Sequence, residues 1–336
     1  MTGLAGSLPT IDIVIVNFRT PTLVIACLES IDAERTRVPR LRAIVVDNDS
    51  GDGSTDLIER VVREREWSWV VLLRSQTNGG FGAGNNLGIA WVLDQPKSAD
   101  LVWLLNPDTR VLPSAAQALA RFMAATPAAG IAGSALLEGD GQPWPFAFRF
   151  PSVLGEIERG FRWKVISRLL RNNATIRRMG RECEKVDWVS GASFVIRRSL
   201  LERGLRFDEG YFLYFEETDL CLRARREGWE CWYVPDSVVL HIAGQSTGVT
   251  DKNAAPRRLP SYWYQSRRRY FVKNHGRLYG ILADLGWMGG HLFARAKQFL
   301  KTAPNPDPPK LLTDFLRHSS LLPGRLPNAR SDAYSR

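Results

Sequence analysis

The chain has 336 residues, 44% of them hydrophobic, which is enough for one large domain with extensions or two modest ones. Its formal net charge of +10 suits phosphorylated substrates or an anionic membrane; the excess gathers in 159–181 and 257–277 without a recognisable nucleic-acid motif, so nucleic acid is disfavoured. Four cysteines without CxxC spacing, and no basic-then-apolar leader in 1–10, predict reduced thiols, a cytoplasmic setting and a short disordered lead.

Ile11–Phe18 is an apolar run ending in Asn17, and Thr20-Pro21 then starts a helix with proline pre-set at its first position. Leu41–Asp47 reads as a second buried strand, with Asp47, Asn48, Asp49 and Ser50 crowded at its end. Ser54 or Thr55 can cap a helix through Leu57, Ile58, Val61 and Val62. Trp69–Leu73 is a third strand, followed by a glycine-rich turn and a helix near Asn86–Leu93. Leu101–Leu105 is a fourth strand, stopping at Asn106-Pro107-Asp108, and Pro113 opens the next helix. Such alternation with near-continuous apolar strands predicts an α/β fold: a mostly parallel, Rossmann-like sheet with helices on both faces. Ligands of such sheets sit beyond the carboxyl ends of the strands. All four ends carry polar groups (Asn17, Asp47, Asn78 with its glycines, Asp108), which points to a nucleotide-sized ligand.

After Gly141 the pattern changes. Trp144–Pro151 is aromatic and proline-rich, and 151–183 reads as a basic, helical insertion. Val186–Arg197 reads as one strand with Gly191-Ala192 in its middle, and Glu230–His241 as another. Between them, 208–221 sets acids beside aromatics, with Glu216, Glu217 and Asp219 opening an amphipathic helix. Two readings stay open for those acids. They can simply favour the positive end of the helix dipole. Alternatively, behind Tyr211, Phe212, Tyr214 and Phe215, burial lifts a carboxyl toward useful base strength.

The segment 249–300 is a basic, aromatic helical extension. Its stretch Leu278–Ala294, broken by Asp284 and four glycines, is too polar and short for a membrane span and reads as a surface-lying helix pair. Arg267, Arg268 and Arg269, with Tyr262, Trp263, Tyr264 and Tyr270, suit a diphosphate, an anionic bilayer or a plain solvated face. The expectation is peripheral attachment to the inner face of the cytoplasmic membrane. The tail 301–336 is proline-rich and expected to be mobile. Gly79–Gly84 fails as a dinucleotide fingerprint, because position 85 is Asn and the run follows the third strand rather than the first.

Taken in order, Ile15-Val16-Asn17-Phe18, Val45-Val46-Asp47-Asn48, the Asn78–Asn86 loop, Leu104-Leu105-Asn106-Pro107-Asp108-Thr109, Trp188-Val189-Ser190-Gly191-Ala192, Phe215-Glu216-Glu217-Thr218-Asp219-Leu220 and His241 resemble an inverting family 2 glycosyltransferase of the GT-A fold. The resemblance runs from Ile11 to Gly248 and is nearest to bacterial rhamnosyltransferases of O-antigen and cell-wall assembly. It implies a nucleotide-sugar donor (dTDP- or UDP-linked), a divalent cation (Mg²⁺ or Mn²⁺), and a glycan or lipid-linked oligosaccharide acceptor. It also implies roles. Asn17 and Asp47 hold the nucleoside, while Asn78, Gly79, Gly80, Asn85 and Asn86 approach the ribose and sugar phosphate. Asp108 is the acid of the metal motif, and His241 a further ligand. Glu217 stands at the base position, with Glu216 and Asp219 as the other candidates. Trp188, Gly191 and Ala192 form an acceptor-side wall, although Trp188 reads equally well as core. Two departures matter: Asn106 replaces the first acid of the metal motif, leaving a loosely held cation, and Glu217 stands where the base motif usually has Asp. The motifs do not set the oligomeric state.

Overall fold

The computed structural model describes residues 7–323 apart from 39, 98, 140, 144–146, 243–256 and 301–306. The first six residues of the lead, Trp144, the Gly248 limit of the resemblance, the start of the extension to 256 and most of the tail therefore lie outside the described residues. In chain order, β1 (Ile11–Asn17), α1 (Pro21–Asp32), β2 (Leu41–Asp47), α2 (Ser54–Glu64), β3 (Val70–Arg74), α3 (Gly80–Asp94) and β4 (Leu101–Leu105) form the expected alternation. They are followed by β5 (Thr109–Val111), α4 (Ala115–Ala125), β6 (Ala129–Leu137), β7 (Ala147–Phe148), α5 (Val153–Phe161) and α6 (Lys164–Leu169). The remaining elements are β8 (Glu184–Val186), β9 (Trp188–Val189), β10 (Ser193–Arg197), α7 (Arg198–Glu202), α8 (Glu216–Arg226), β11 (Glu230–His241), α9 (Ser261–His275), α10 (Arg277–Leu300) and α11 (Leu311–Arg317).

Strands run in the order β3-β2-β1-β4-β10-β6-β11-β5, with β8 beside β11. The sheet is parallel from β3 to β4 and again between β6 and β11; β10 lies antiparallel between those halves. Because β1 and β2 pair in register, Asn17 falls opposite Asp47, and the polar strand ends align along one edge. The strand interiors, including Ile13, Val14, Ile44, Val45 and Trp103, are fully buried, as continuous apolar runs covered by helices require.

Several local expectations change. Helix α3 begins at Gly80, so the supposed turn is largely helix. Gly80 has φ +84, and a Cβ there would come within 1.9 Å of the Phe212 carbonyl oxygen. Gly84 faces β1 so closely that a Cβ would meet Val16 Cγ1 at 2.7 Å. These glycines serve close packing as much as ligand approach. Helix α2 is led by Gly53 at φ 83 rather than capped by Ser54 or Thr55; the Asp52 carboxylate accepts the Ser54 N–H at 3.0 Å. Helix α4 starts after Pro113, at Ala115, and borrows Glu34, whose carboxylate accepts N–H groups from Ser114 (2.8 Å) and Ala116 (3.2 Å).

The strand expected over Val186–Arg197 is split into β8, β9 and β10, because β8 pairs with β11, β9 leaves the main sheet to pair with β7, and 190–192 turns before β10. The basic insertion is helical only over α5 and α6. Leu278–Ala294 lies within one continuous helix, α10, which packs on α5 and α9 rather than forming a pair by itself. Between these three helices Arg267 is buried against Glu156 (2.8 Å) and Asp284, so it is not the phosphate- or membrane-facing arginine that its triplet suggested. Arg269 is likewise engaged with Asp208 at 2.8 Å, and Arg268 donates to the Leu322 carbonyl at 3.0 Å.

Candidate active site

At the aligned strand ends, Asn17 Nδ2 donates to Asp47 Oδ1 at 2.7 Å, and Ser50 Oγ donates to the same oxygen at 2.6 Å. Asn17 Oδ1 in turn accepts from the Thr20 backbone at 3.2 Å. This buried net fixes the floor left by β1 and β2. Beside it, Asn48 Nδ2 donates to Asn78 Oδ1 (2.9 Å) and to the Gly80 carbonyl (3.1 Å), which joins the ends of β2 and β3 to the start of α3. A cleft of about 130 Å³ opens here, lined by Val16, Thr20, Asn48, Asn78, Phe81 and Asn106 among others. Asn48 and Ser50 were missed as site residues because a polar turn looks the same whether it caps or binds; only the pairing of β2 with its neighbours distinguishes the two.

Asn85 and Asn86 do not face this cleft. Asn85 is buried and donates to the Phe81 carbonyl one turn earlier, within α3. Asn86 clamps the other side of the helix to Phe207 and Glu209, at 3.0 and 2.8 Å. Once 80–94 is helical, its successive side chains fan round the axis and cannot all point at one ligand. Asn86, with Gly79 and Asn78, instead borders a larger groove of about 1180 Å³ that runs along α3 and 206–210.

Asp108 is brought to His241 by the antiparallel pairing of β5 with β11, which sets Thr109 opposite His241. His241 Nε2 lies 3.5 Å from Asp108 Oδ1, a buried oxygen that no hydrogen-bond donor satisfies. Asn106 Oδ1, two residues upstream, is also buried and unsatisfied. The open Asp108 oxygen beside the imidazole, and the open Asn106 amide oxygen two residues upstream, could contribute to holding a hard cation only if other ligands completed it. No group of three or more His, Cys, Asp or Glu side chains converges among the described residues, so phosphate and water oxygens would have to supply most of the coordination.

The acids of α8 separate cleanly. Tyr214 and Phe215 both adopt left-handed backbone (φ 70 and 68), a strained entry that turns the chain into α8. Asp219 is fully buried and hydrogen-bonded by Arg223 (2.8 Å), Lys273 (2.9 Å), Asn274 (2.8 Å) and Tyr211 (3.3 Å). It anchors α8 to α9 and has no oxygen to spare. Glu217 points the other way, toward Gly191, whose Cβ position lies 3.5 Å from Glu217 Oε1 and from the Phe81 ring. Burial pushes the Glu217 carboxyl up to about 7, against backbone N–H groups at Glu217, Gly191 and Thr218 that favour the ionised form. Glu216 is buried where Glu217 is half-buried, and burial plus the neighbouring Glu217 charge lift its carboxyl well above the usual range. Oε2 of each glutamate is buried and unsatisfied.

The 190–192 turn links the two halves of the site, since the Ala192 carbonyl accepts the Asn106 N–H at 3.0 Å while Gly191 borders Glu217. Trp188 lies back from it, stacked on Phe148 with centroids 4.1 Å apart and bonded to the Arg149 carbonyl, in the β7–β9 pair. Its ring is committed to packing. The acceptor-side candidates that touch Glu217 or Asn106 are therefore Gly191 and Ala192.

A half-parallel sheet with a cleft at its strand ends, an Asp108–His241 pair, and a raised glutamate joined to that side through the 190–192 turn fits the GT-A class of glycosyltransferase folds. Solved structures agree on the fold. A mannosyltransferase, PcManGT from Pyrobaculum calidifontis, aligns with 90% of this chain and 79% of its own, at TM-score 0.53 and 15% identity. S. aureus TarS 1-349 in complex with UDP-GlcNAc aligns with 92% and 79%, at TM-score 0.54 and 13% identity. The family described as "Glycosyltransferase like family 2" matches residues 9–258, and the chain belongs to it. Among curated relatives, the N-acetylglucosaminyl-diphospho-decaprenol L-rhamnosyltransferase of Mycobacterium tuberculosis is 32% identical over 211 residues, which is 59% of this chain and 66% of that protein. Rhamnosyltransferase WbbL of Escherichia coli is 28% identical over 170 residues, 49% of this chain and 61% of that protein. The chain thus spans slightly less than two thirds of the length of these relatives.

Proposed function

We propose that the protein is an inverting glycosyltransferase that moves L-rhamnose from dTDP-rhamnose to a glycan or lipid-linked acceptor in the assembly of a cell-surface polysaccharide. The observation that carries the reading is Glu217: a carboxyl raised to about 7, with a buried unsatisfied oxygen, beside the small Gly191 and next to Phe81, which lines the cleft. In that role Glu217 takes the proton of the acceptor hydroxyl as its oxygen bonds to the anomeric carbon from the face opposite the diphosphate. The bond from that carbon to the diphosphate oxygen breaks, and the nucleoside diphosphate leaves with the electron pair. Asn17 and Asp47 form the floor beneath the base and ribose end of the donor, with Asn48 and Asn78 fixing the loop beside it. A divalent cation held by Asp108 and His241 would neutralise charge on the diphosphate. Gly191 leaves room for an acceptor oxygen next to Glu217.

The rhamnose assignment draws its support from the names of the two rhamnosyltransferase relatives. It is tested by thermal protection across a panel of donors with Mn²⁺ present. dTDP-rhamnose should raise Tm more than UDP-glucose, UDP-galactose or UDP-galactofuranose. Stronger protection by a UDP-sugar would replace the donor while leaving the transferase reading intact.

A further inference from the structure

Helix α10 is built inside out. Its polar side chains Asp284 and His291 are buried, at 0% and 3% exposure, whereas its outward line is apolar throughout. Leu278, Leu282, Leu285, Leu292 and Phe299 recur at alternating steps of four and three residues, and Gly289 and Ala296 complete the series without a charge. Leu278 and Phe299 are 72% and 84% exposed. With side chains of this size, the line presents several hundred Å² of apolar surface, on the order of or above the largest patch an ordinary monomer shows. No helix among the described residues is long and apolar enough to cross a membrane.

The rim identifies what covers this face. Trp163, at the start of α6, packs on Phe293 of α10 with centroids 5.6 Å apart, and Lys297 sits over the Trp163 ring at 4.9 Å. Helix α6 therefore borders the C-terminal half of the line, and it exposes Val165 and Leu169 beside Lys164 and Arg168, with Arg171 just beyond. Residues 159–181 contain no acid, and the only acid of α10 is the buried Asp284. A second copy docking by two-fold symmetry would set this cationic rim against itself, which costs binding. An anionic lipid surface instead matches both features, since apolar side chains enter the acyl boundary while lysines and arginines meet the headgroups.

We propose that the outward face of α10, with α6 as its basic shoulder, lies in the interface of an anionic membrane. This places the membrane contact away from the Arg267–Arg269 triplet, and it holds whichever donor the site takes. The test is co-sedimentation of the full chain with vesicles of phosphatidylglycerol and phosphatidylcholine. The protein should pellet with phosphatidylglycerol vesicles at low salt and release as salt rises, with at least ~10-fold weaker partition onto phosphatidylcholine alone. The double substitution Leu285→Glu and Leu292→Glu should lower partition at least ~10-fold with unchanged Tm. The triple change Lys164→Gln, Arg168→Gln and Arg171→Gln, which leaves α10 intact, should weaken it and flatten its salt dependence. Failure to pellet with phosphatidylglycerol at low salt overturns the proposal. So does wild-type partition by both variants, and so does a dimer in sedimentation velocity that the double substitution dissolves while vesicle binding is absent.

Discussion

At the scale of single residues, the proposed chemistry turns on which acid of α8 is free to take a proton. Asp219 is ionically committed on every side, whereas Glu217 is raised to about 7 and borders Gly191. Glu217→Gln should therefore lose at least ~100-fold in kcat with donor affinity retained, the usual reach of general-base catalysis. If Glu217 is the base as proposed, it must be ionised, and kcat/KM of the wild type should rise with pH and level off above about 7. The sign for stability is opposite. A carboxyl whose pKa rises from 4.5 to about 7 on folding stabilises the native state below 4.5 and loses that contribution as pH climbs to 7. Glu217→Gln should then raise Tm at pH 8 relative to wild type, with the gain vanishing below pH 4.5; an unchanged difference across that window would deny the shift. Asp108→Asn should shrink the effect of Mn²⁺ on dTDP affinity, measured calorimetrically with and without chelator, from at least ~10-fold to a few-fold. The acidic cluster was legible from composition, but its division of labour was not, since three acids within four positions look alike until α9 claims one of them.

Secondary-structure elements decide where those residues stand. The pairing of β5 with β11 joins Asp108 to His241 across more than 130 positions, and the 190–192 turn joins Asn106 to Glu217. The start of α3 is pressed against the 208–215 segment, where the Phe81 N–H donates to the Phe212 carbonyl at 3.1 Å. Gly80→Ala should therefore cost about 2–4 kcal/mol, since it combines a positive φ with a backbone clash, and should loosen the loop that leads into Glu217. Urea unfolding gives the first quantity, and proteolysis within 208–215 the second. The four strands, the position of α1 and the existence of α8 were readable from apolar runs and Pro21. The start of α3 was not, because glycine's poor helix propensity hides a helix whose glycines are required by contacts with β1 and Phe212.

At the scale of the whole molecule, the C-terminal helices form a brace behind the site. Arg267 bridges Glu156 of α5 and Asp284 of α10, and Asp284 also accepts the Ser320 N–H at 2.5 Å. Asp284→Ala should destabilise the protein by about 3 kcal/mol, because it leaves part of a buried charge uncompensated; a Tm within a degree of wild type would mean the brace is slack. The same helix α9 holds Asp208 through Arg269 and Lys273, and those hydrogen bonds, working against burial, keep its carboxyl down at about 2. What the sequence determined by itself is whatever depends on neighbours along the chain: buried strands from apolar runs, polar strand ends, the ordered motifs of the family and the excess of positive charge. Only the tertiary structure decided which asparagines face the cleft, which acid is free, which arginines are buried, and that α10 turns its apolar side outward. Those outcomes depend on long-range pairing and on which face of a helix finds a partner, and periodicity along one segment carries no record of what packs against it.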